Sequence, residues 1–148
     1  TVLEYVGDGI LVVFGAPDPL EGHEAAALRC AKAMRARLET LNTEWRDEGI
    51  AAMWQDHGLE RLTARCGIHT GRVVAGSFGG DRFMKYGIIG DTVNVAARLE
   101  ALNKLRDTTI LLSGVTRRAL PEDLSATLTD QGTTTLKGRQ GEVAIFSA

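Results

Sequence analysis

At 148 residues the chain is long enough to bury one sizeable core. With 44% apolar and 24% charged residues it has an ordinary globular composition, and seventeen basic against nineteen acidic residues leave a net charge of −2, which excludes a global basic field for nucleic acid. No stretch approaches the roughly 18 to 20 consecutive apolar residues of a membrane span, so no membrane contact is expected from this domain, and a site for a polyanion has to be local.

The chain opens on Val2, Leu3, Tyr5 and Val6, then turns at Gly7-Asp8-Gly9 into the strand-like Ile10-Leu11-Val12-Val13-Phe14. Glycine tolerates positive φ and Asp can bond the turn backbone, so a hairpin with Asp8 at its tip is expected. From this stretch alone Asp8 reads either as a turn former or as a site residue. Glu4, set between apolar neighbours, needs water or a hydrogen-bonding partner. Because Thr1 already adjoins a strand, an earlier segment is expected upstream.

Gly15 to Pro19 make a loop, and a helix follows from Glu21 or His23 to about Trp45. Ala27, Ala31, Met34, Leu38, Leu41 and Trp45 give it one apolar face. Residues 46–60 read as a loop or short excursion. His23 and His57 stand apart from any nucleophile or acid partner and are not read as catalytic bases. Cys30 and Cys66 show neither CxxC nor paired-His spacing, so two buried thiols in a reducing, cytoplasmic compartment are expected rather than zinc or a disulfide.

Leu62–Ile68 and Val73–Phe78 read as strands joined by a turn at His69-Thr70-Gly71, giving a hairpin. After Tyr86-Gly87-Ile88-Ile89 comes a helix from Thr92 to about Asn103, with Asp91 as N-cap and Val95, Leu99 and Leu102 facing inward. Asn94 and Arg98, four residues apart, share another side of that helix. An amide beside a guanidinium suits an anionic ligand with a sugar oxygen, although a solvated face would look the same. Further on, Thr108–Leu112 is a strand, Ser113 caps a short helix ending before Pro121, and Ser125–Thr129, Thr133–Leu136 and Val143–Phe146 are small strands. Lys137-Gly138-Arg139-Gln140-Gly141 reads as a basic hairpin tip. The order is α+β with a mostly antiparallel sheet flanked by helices.

Three runs, Glu4–Phe14, Gly67–Gly71 and Gly90-Asp91-Thr92-Val93-Asn94-Val95-Ala96-Ala97-Arg98-Leu99, resemble the catalytic domain of class III nucleotidyl cyclases. The likeness covers nearly the whole chain and implies a ferredoxin-like βαββαβ core with extra strands, acting as a homodimer with composite sites. By that resemblance residues 1–148 form a single catalytic domain lacking its first strand and first helices. It further implies that Asp8 binds metal, that Asn94 holds the ribose, that Arg98 stabilises the phosphorus under attack, and that Lys137 contacts the terminal phosphates. Two divalent cations, Mg²⁺ or Mn²⁺, are implied, with a second aspartate expected upstream of Thr1. The intact protein could carry sensory or membrane-anchoring segments.

The family's two base-reading positions align with Glu4 and Gly87. Glutamate at the first resembles bacterial guanylyl cyclases, whereas adenylyl relatives carry Lys there and Asp or Thr at the second. The expectation is a guanylyl cyclase using GTP. Its rivals are an adenylyl cyclase, an inert nucleotide-binding regulatory domain, and an α+β interaction domain that dimerises through its glycine-rich sheet.

Overall fold

The computed structural model describes residues 1–136 and 141–148, so Lys137 and its neighbours Gly138, Arg139 and Gln140 lie outside the described residues. The opening hairpin forms as its sequence dictates. Strand β1 (Val2–Val6) pairs antiparallel with β2 (Gly9–Val12), Val6 facing Gly9 and Tyr5 facing Ile10. Gly7 takes φ 62° at the first central position of the two-residue turn, the requirement of a type II′ hairpin. Ile10 is exposed, while Leu11 to Phe14 are half-buried.

Helix α1 (His23–Asp47) has the expected extent but a rotated inner face. Ala25, Leu28 and Ala31 are buried, whereas Met34 is exposed. The rotation reflects Asn42, a polar residue that the apolar spacing passes over. Its Nδ2 donates to the Leu62 carbonyl at 2.8 Å and its Oδ1 accepts from the Leu62 N–H at 2.9 Å. That pair of bonds makes burial of the amide affordable and turns the helix accordingly. Within residues 46–60 there is one short helix, α2 (Ala52–Gln55), and Trp54 packs edge-on against Trp45 with ring centroids 5.6 Å apart.

The expected hairpin across His69–Gly71 does not form. Strand β3 (Cys66–Ile68) instead pairs in parallel with β6 (Ile110–Ser113), and β4 (Val74–Gly80) pairs with β5 (Phe83–Ile89). The reason lies in two competing turns. Gly79-Gly80-Asp81-Arg82 gives β4 and β5 a glycine-rich tip, while His69 and Thr70 are drawn toward the end of β6. His69 Nδ1 lies 2.7 Å from Ser113 Oγ, and Thr116 Oγ1 lies 3.2 Å from Thr70 Oγ1.

Helix α3 (Asp91–Arg106) starts one residue earlier than expected, with Gly90 rather than Asp91 as N-cap and Asp91 in the first turn. It ends on Asp107 at φ 51°, a left-handed stop. Ser113 Oγ caps α4 (Gly114–Ala119) by accepting from the Thr116 N–H, as its sequence predicts. The strand expected over Ser125–Thr129 does not form: Ser125 ends helix α5 (Glu122–Ser125), which Pro121 caps, and only Thr129 is in a strand. Strand β7 (Thr129–Thr135) then pairs with β8 (Glu142–Ser147).

The architecture is therefore α+β. A four-stranded sheet runs β3-β6-β8-β7, and the hairpins β1-β2 and β4-β5 stand as two-stranded units. Every described strand pair except β3 with β6 is antiparallel. Strand β6 divides the core. Ile110 and Leu112 pack with Ala25, Leu28, Ala31 and Leu120 on one face; Leu111 packs with Val95, Leu99, Leu136 and Ile145 on the other. Alternate pleats thus seat α1 and α3 on opposite faces. Among the described residues no helix is long and apolar enough to cross a membrane.

Candidate active site

Placement of α3 begins with β3. Gly67 lies so close to the helix that a Cβ there would fall 2.1 Å from the Ala96 carbonyl oxygen and 2.3 Å from the Glu100 nitrogen. Asn103, fully buried, donates to the Cys66 carbonyl at 3.0 Å and accepts from Thr108 Oγ1 at 2.8 Å. Arg65 adds an ion pair to Glu100 at 3.0 Å. Helix α3 is consequently fixed from its middle toward its C-terminal end, and the two polar residues on its other side inherit that position.

Those residues differ in environment. Asn94 is exposed near the helix start, whereas Arg98 is half-buried, and its Nη1 is buried without a hydrogen-bond partner among the described residues. An orphaned guanidinium N–H costs free energy that an anionic oxygen would recover.

Directly before α3, strand β5 carries Gly87 into the wall of a cavity of about 230 Å³. Leu3, Glu4 and Leu11 of the first hairpin form the facing side, with Phe78, Lys85 and Tyr86 from the second. The structure thus brings Glu4 and Gly87, eighty-three positions apart, into one cavity. It also supplies the partner that Glu4 requires, since Lys85 Nζ forms an ion pair with Glu4 Oε1. Lys85 is the residue that sequence reasoning missed. The available signal was its spacing: a lone cation in an apolar strand, two residues before Gly87 and therefore on the same pleat face.

Asp8 is placed elsewhere. It sits exposed at the tip of the β1-β2 hairpin, is absent from the cavity lining, and makes no side-chain hydrogen bond or ion pair among the described residues. Within one protomer the structure therefore joins Glu4 with Gly87 and puts Asn94 and Arg98 on the following helix, but does not join Asp8 to them. Among the described residues no group of three or more His, Cys, Asp or Glu could hold a metal ion by itself.

Fold and sequence together place the chain among nucleotide cyclase domains. The family model for the adenylate and guanylate cyclase catalytic domain matches residues 2–147, and the chain belongs to that family. It is 35% identical to adenylate cyclase 1 of Rhizobium meliloti (strain 1021) over 146 residues, covering 99% of this chain and 20% of that protein. It is 32% identical to the adenylate cyclase of Anabaena cylindrica, covering 97% of this chain and 27% of that protein. The chain thus spans between a fifth and about a quarter of the length of these relatives. Among solved structures, the adenylyl cyclase CyaB from P. aeruginosa superposes with a TM-score of 0.77 at 30% identity, covering 99% of this chain and 70% of that one. The guanylyl cyclase Cya2 superposes equally well, 0.77 at 32% identity, covering 99% and 68%.

Proposed function

We propose that this domain is a guanylyl cyclase, converting GTP to cyclic GMP and pyrophosphate. The observation that carries the reading is Glu4 facing Gly87 across one cavity. Guanine presents N1–H and N2–H₂ as adjacent donors, which an ionised carboxylate accepts together. Adenine presents an N1 acceptor at that edge, which a carboxylate repels. A mismatched buried polar contact costs about 1 to 3 kcal/mol, enough for roughly tenfold to a hundredfold discrimination.

In the reaction the ribose 3′-oxygen attacks the α-phosphorus in line. The bond from that phosphorus to the oxygen bridging to the β-phosphorus breaks, pyrophosphate leaves with the electron pair, and the hydroxyl proton passes to solvent. No protein nucleophile is required. Asn94 orients the ribose, and Arg98 meets charge that grows on the phosphoryl oxygens, a contribution largest in the transition state. Support for the role of Arg98 comes from its buried, unpartnered Nη1. Lys137 is assigned to the terminal phosphates by family likeness.

The exposed Asp8 carboxylate, held on a tight turn and unpaired among the described residues, suits a hard cation such as Mg²⁺ or Mn²⁺. Two such cations, when bound, acidify the attacking hydroxyl and offset the triphosphate charge. Asp8 lies apart from the cavity of its own protomer, which favours a homodimer whose sites combine Asp8 of one subunit with Glu4, Gly87, Asn94 and Arg98 of the other.

A second reading, adenylyl cyclase, is favoured by the names of the Rhizobium and Anabaena relatives. Turnover of GTP and ATP at equal concentration by the intact protein, with Mn²⁺ or Mg²⁺, separates the two. GTP should be used at least about tenfold faster; faster use of ATP would overturn the guanylyl assignment. Glu4→Lys should erode GTP use, and an unchanged preference would remove Glu4 from base reading.

A further inference from the structure

We infer that Thr92 is a positioning residue for Asn94 and Arg98, tying the first turn of α3 to a strap, residues 69–73, whose other end is anchored by Thr116. The inference rests on the roles proposed above for Asn94 and Arg98. The contacts at β3 hold α3 from its middle onward, and at its start the buried Val95 packs into the core. Apolar packing resists lifting but has no direction, whereas a hydrogen bond sets one. The strap, which links β3 to β4, supplies that bond: Thr92 Oγ1 donates to the Arg72 carbonyl at 2.8 Å. A Cβ added at Gly71 would fall 2.6 Å from Thr92 Oγ1, and one at Gly90 would fall 3.1 Å from the Arg72 oxygen. Glycine on both sides thus lets two backbones approach closely enough for one threonine to join them.

The strap itself is anchored by a chain of hydroxyls. Thr116, fully buried, donates from Oγ1 to Thr70 Oγ1 at 3.2 Å. A hydroxyl has one proton, so the Thr116 oxygen accepts from Ser113 Oγ, 3.1 Å away, and Ser113 Oγ in turn accepts from His69 Nδ1–H at 2.7 Å. The Thr116 N–H also donates to Ser113 Oγ, at 3.3 Å. His69 and Thr70 are thereby held to the buried end of β6 and the start of α4. A chain with one satisfied order of donors is stiff, and Arg72 and Thr92 pass that stiffness to α3.

None of these residues lines the cavity of Glu4 and Gly87. The strap therefore acts on the geometry of sugar and phosphorus, through Asn94 and Arg98, and leaves nucleotide choice alone. Thr92 is half-buried near the surface, so loss of its hydroxyl should leave the domain folded.

The test uses the intact protein with GTP and ATP in the presence of Mn²⁺. Thr92→Val keeps the branched shape and removes the hydroxyl, Thr92→Ser keeps the hydroxyl, and Thr116→Val cuts the anchor. Misdirected groups slow the reaction more than they weaken binding, so Thr92→Val should lower kcat for GTP about tenfold with KM within about threefold. The GTP-to-ATP ratio of kcat/KM should stay within about twofold, and Thr92→Ser should restore most of kcat. The melting temperature should fall by only about 3 °C. Amide exchange should quicken about tenfold at residues 95–97, whose N–H groups bond to the first turn, and stay unchanged beyond Leu99. Because Thr92→Val and Thr116→Val cut one strap, the double variant should lose little more than the worse single one, whereas independent lesions would multiply. Should Thr116→Val fail to fold, Thr92→Val, its Ser rescue and the exchange decide the matter. A wild type that turns over neither nucleotide would overturn the roles of Asn94 and Arg98 and this inference together, and one that prefers ATP would overturn the guanylyl assignment alone. An active wild type whose kcat Thr92→Val leaves within about twofold, whose exchange it leaves unchanged, or whose loss Thr92→Ser does not repair, would overturn the positioning role and leave the cyclase reading intact. Multiplied losses in the double variant would overturn the link to Thr116.

Discussion

Among single residues, Cys66 shows how burial sets chemistry at the root of the site. Burial pushes its thiol above the ordinary value of 9.0, the nearby Cys30 and Glu100 charges add to the rise, and Arg35 opposes it. The folded protein therefore keeps this proton at a pH where the unfolded chain has lost it. The associated stability is fully present below the unfolded value and is lost as pH rises through the folded one. Urea unfolding should accordingly show stability declining above about pH 9, with a shallower decline in Cys66→Ala. An identical slope in the variant would assign the alkaline loss to other groups. The placement of Asn94 and Arg98 on one helix was legible in the sequence because glycine, aspartate and helical spacing surround them. Lys85 and Asn42 were not, because a lone polar residue in an apolar pattern looks solvated until its partner is located. Those partners are Glu4, in another hairpin, and the backbone of Leu62.

At the scale of elements, the critical contact is the seating of α3 on β3. Gly67 permits it, since the space a Cβ would need is taken by the helix backbone at Ala96 and Glu100. Backbone cannot rotate aside as a side chain can, so Gly67→Ala must displace the helix. The expected cost is about 1 to 3 kcal/mol of stability. Because Arg98 travels with α3, a shift of about 1 Å should also lower kcat on the order of a hundredfold. Gly76, where an added Cβ meets nothing within 4 Å, provides the control: Gly76→Ala should stay within about 0.5 kcal/mol by thermal melting. Equal behaviour of the two variants would mean that α3 is not held by this contact. The same elements show where local pattern stops. Both β3 and β4 were recognisable as strands, but alternation within a strand does not name its partner. The parallel register of β3 on β6 depends on a connection of more than forty residues and on His69 and Thr70 reaching Ser113 and Thr116. Helix α1 was similarly legible in extent and misjudged in rotation.

For the whole molecule, the distribution of exposed apolar side chains bears on how the site is completed. Tyr5, Val6 and Ile10 are exposed on the first hairpin, and Val74, Phe83, Met84 and Ile89 on the second. Apolar exposure grouped on two hairpins marks surface that association would cover. The hairpins also carry the cavity that holds Glu4 and Gly87 and, away from it, Asp8, so the proposed dimer would bury this surface and bring Asp8 to the partner's Arg98 in one step. Symmetry makes the consequence quantitative. In a two-fold dimer an Asp8→Ala chain and an Arg98→Ala chain each spoil both sites of their own homodimer. In the mixed dimer both lesions fall in one site and the other is intact. Heterodimer purified through two different tags should therefore recover about half the wild-type activity, from homodimers that have almost none. Recovery must depend on mixing, because a site built within one chain would give two damaged sites in every combination. A purified heterodimer as inactive as its parents would sink the shared-site arrangement and return Asp8 to the role of a turn residue.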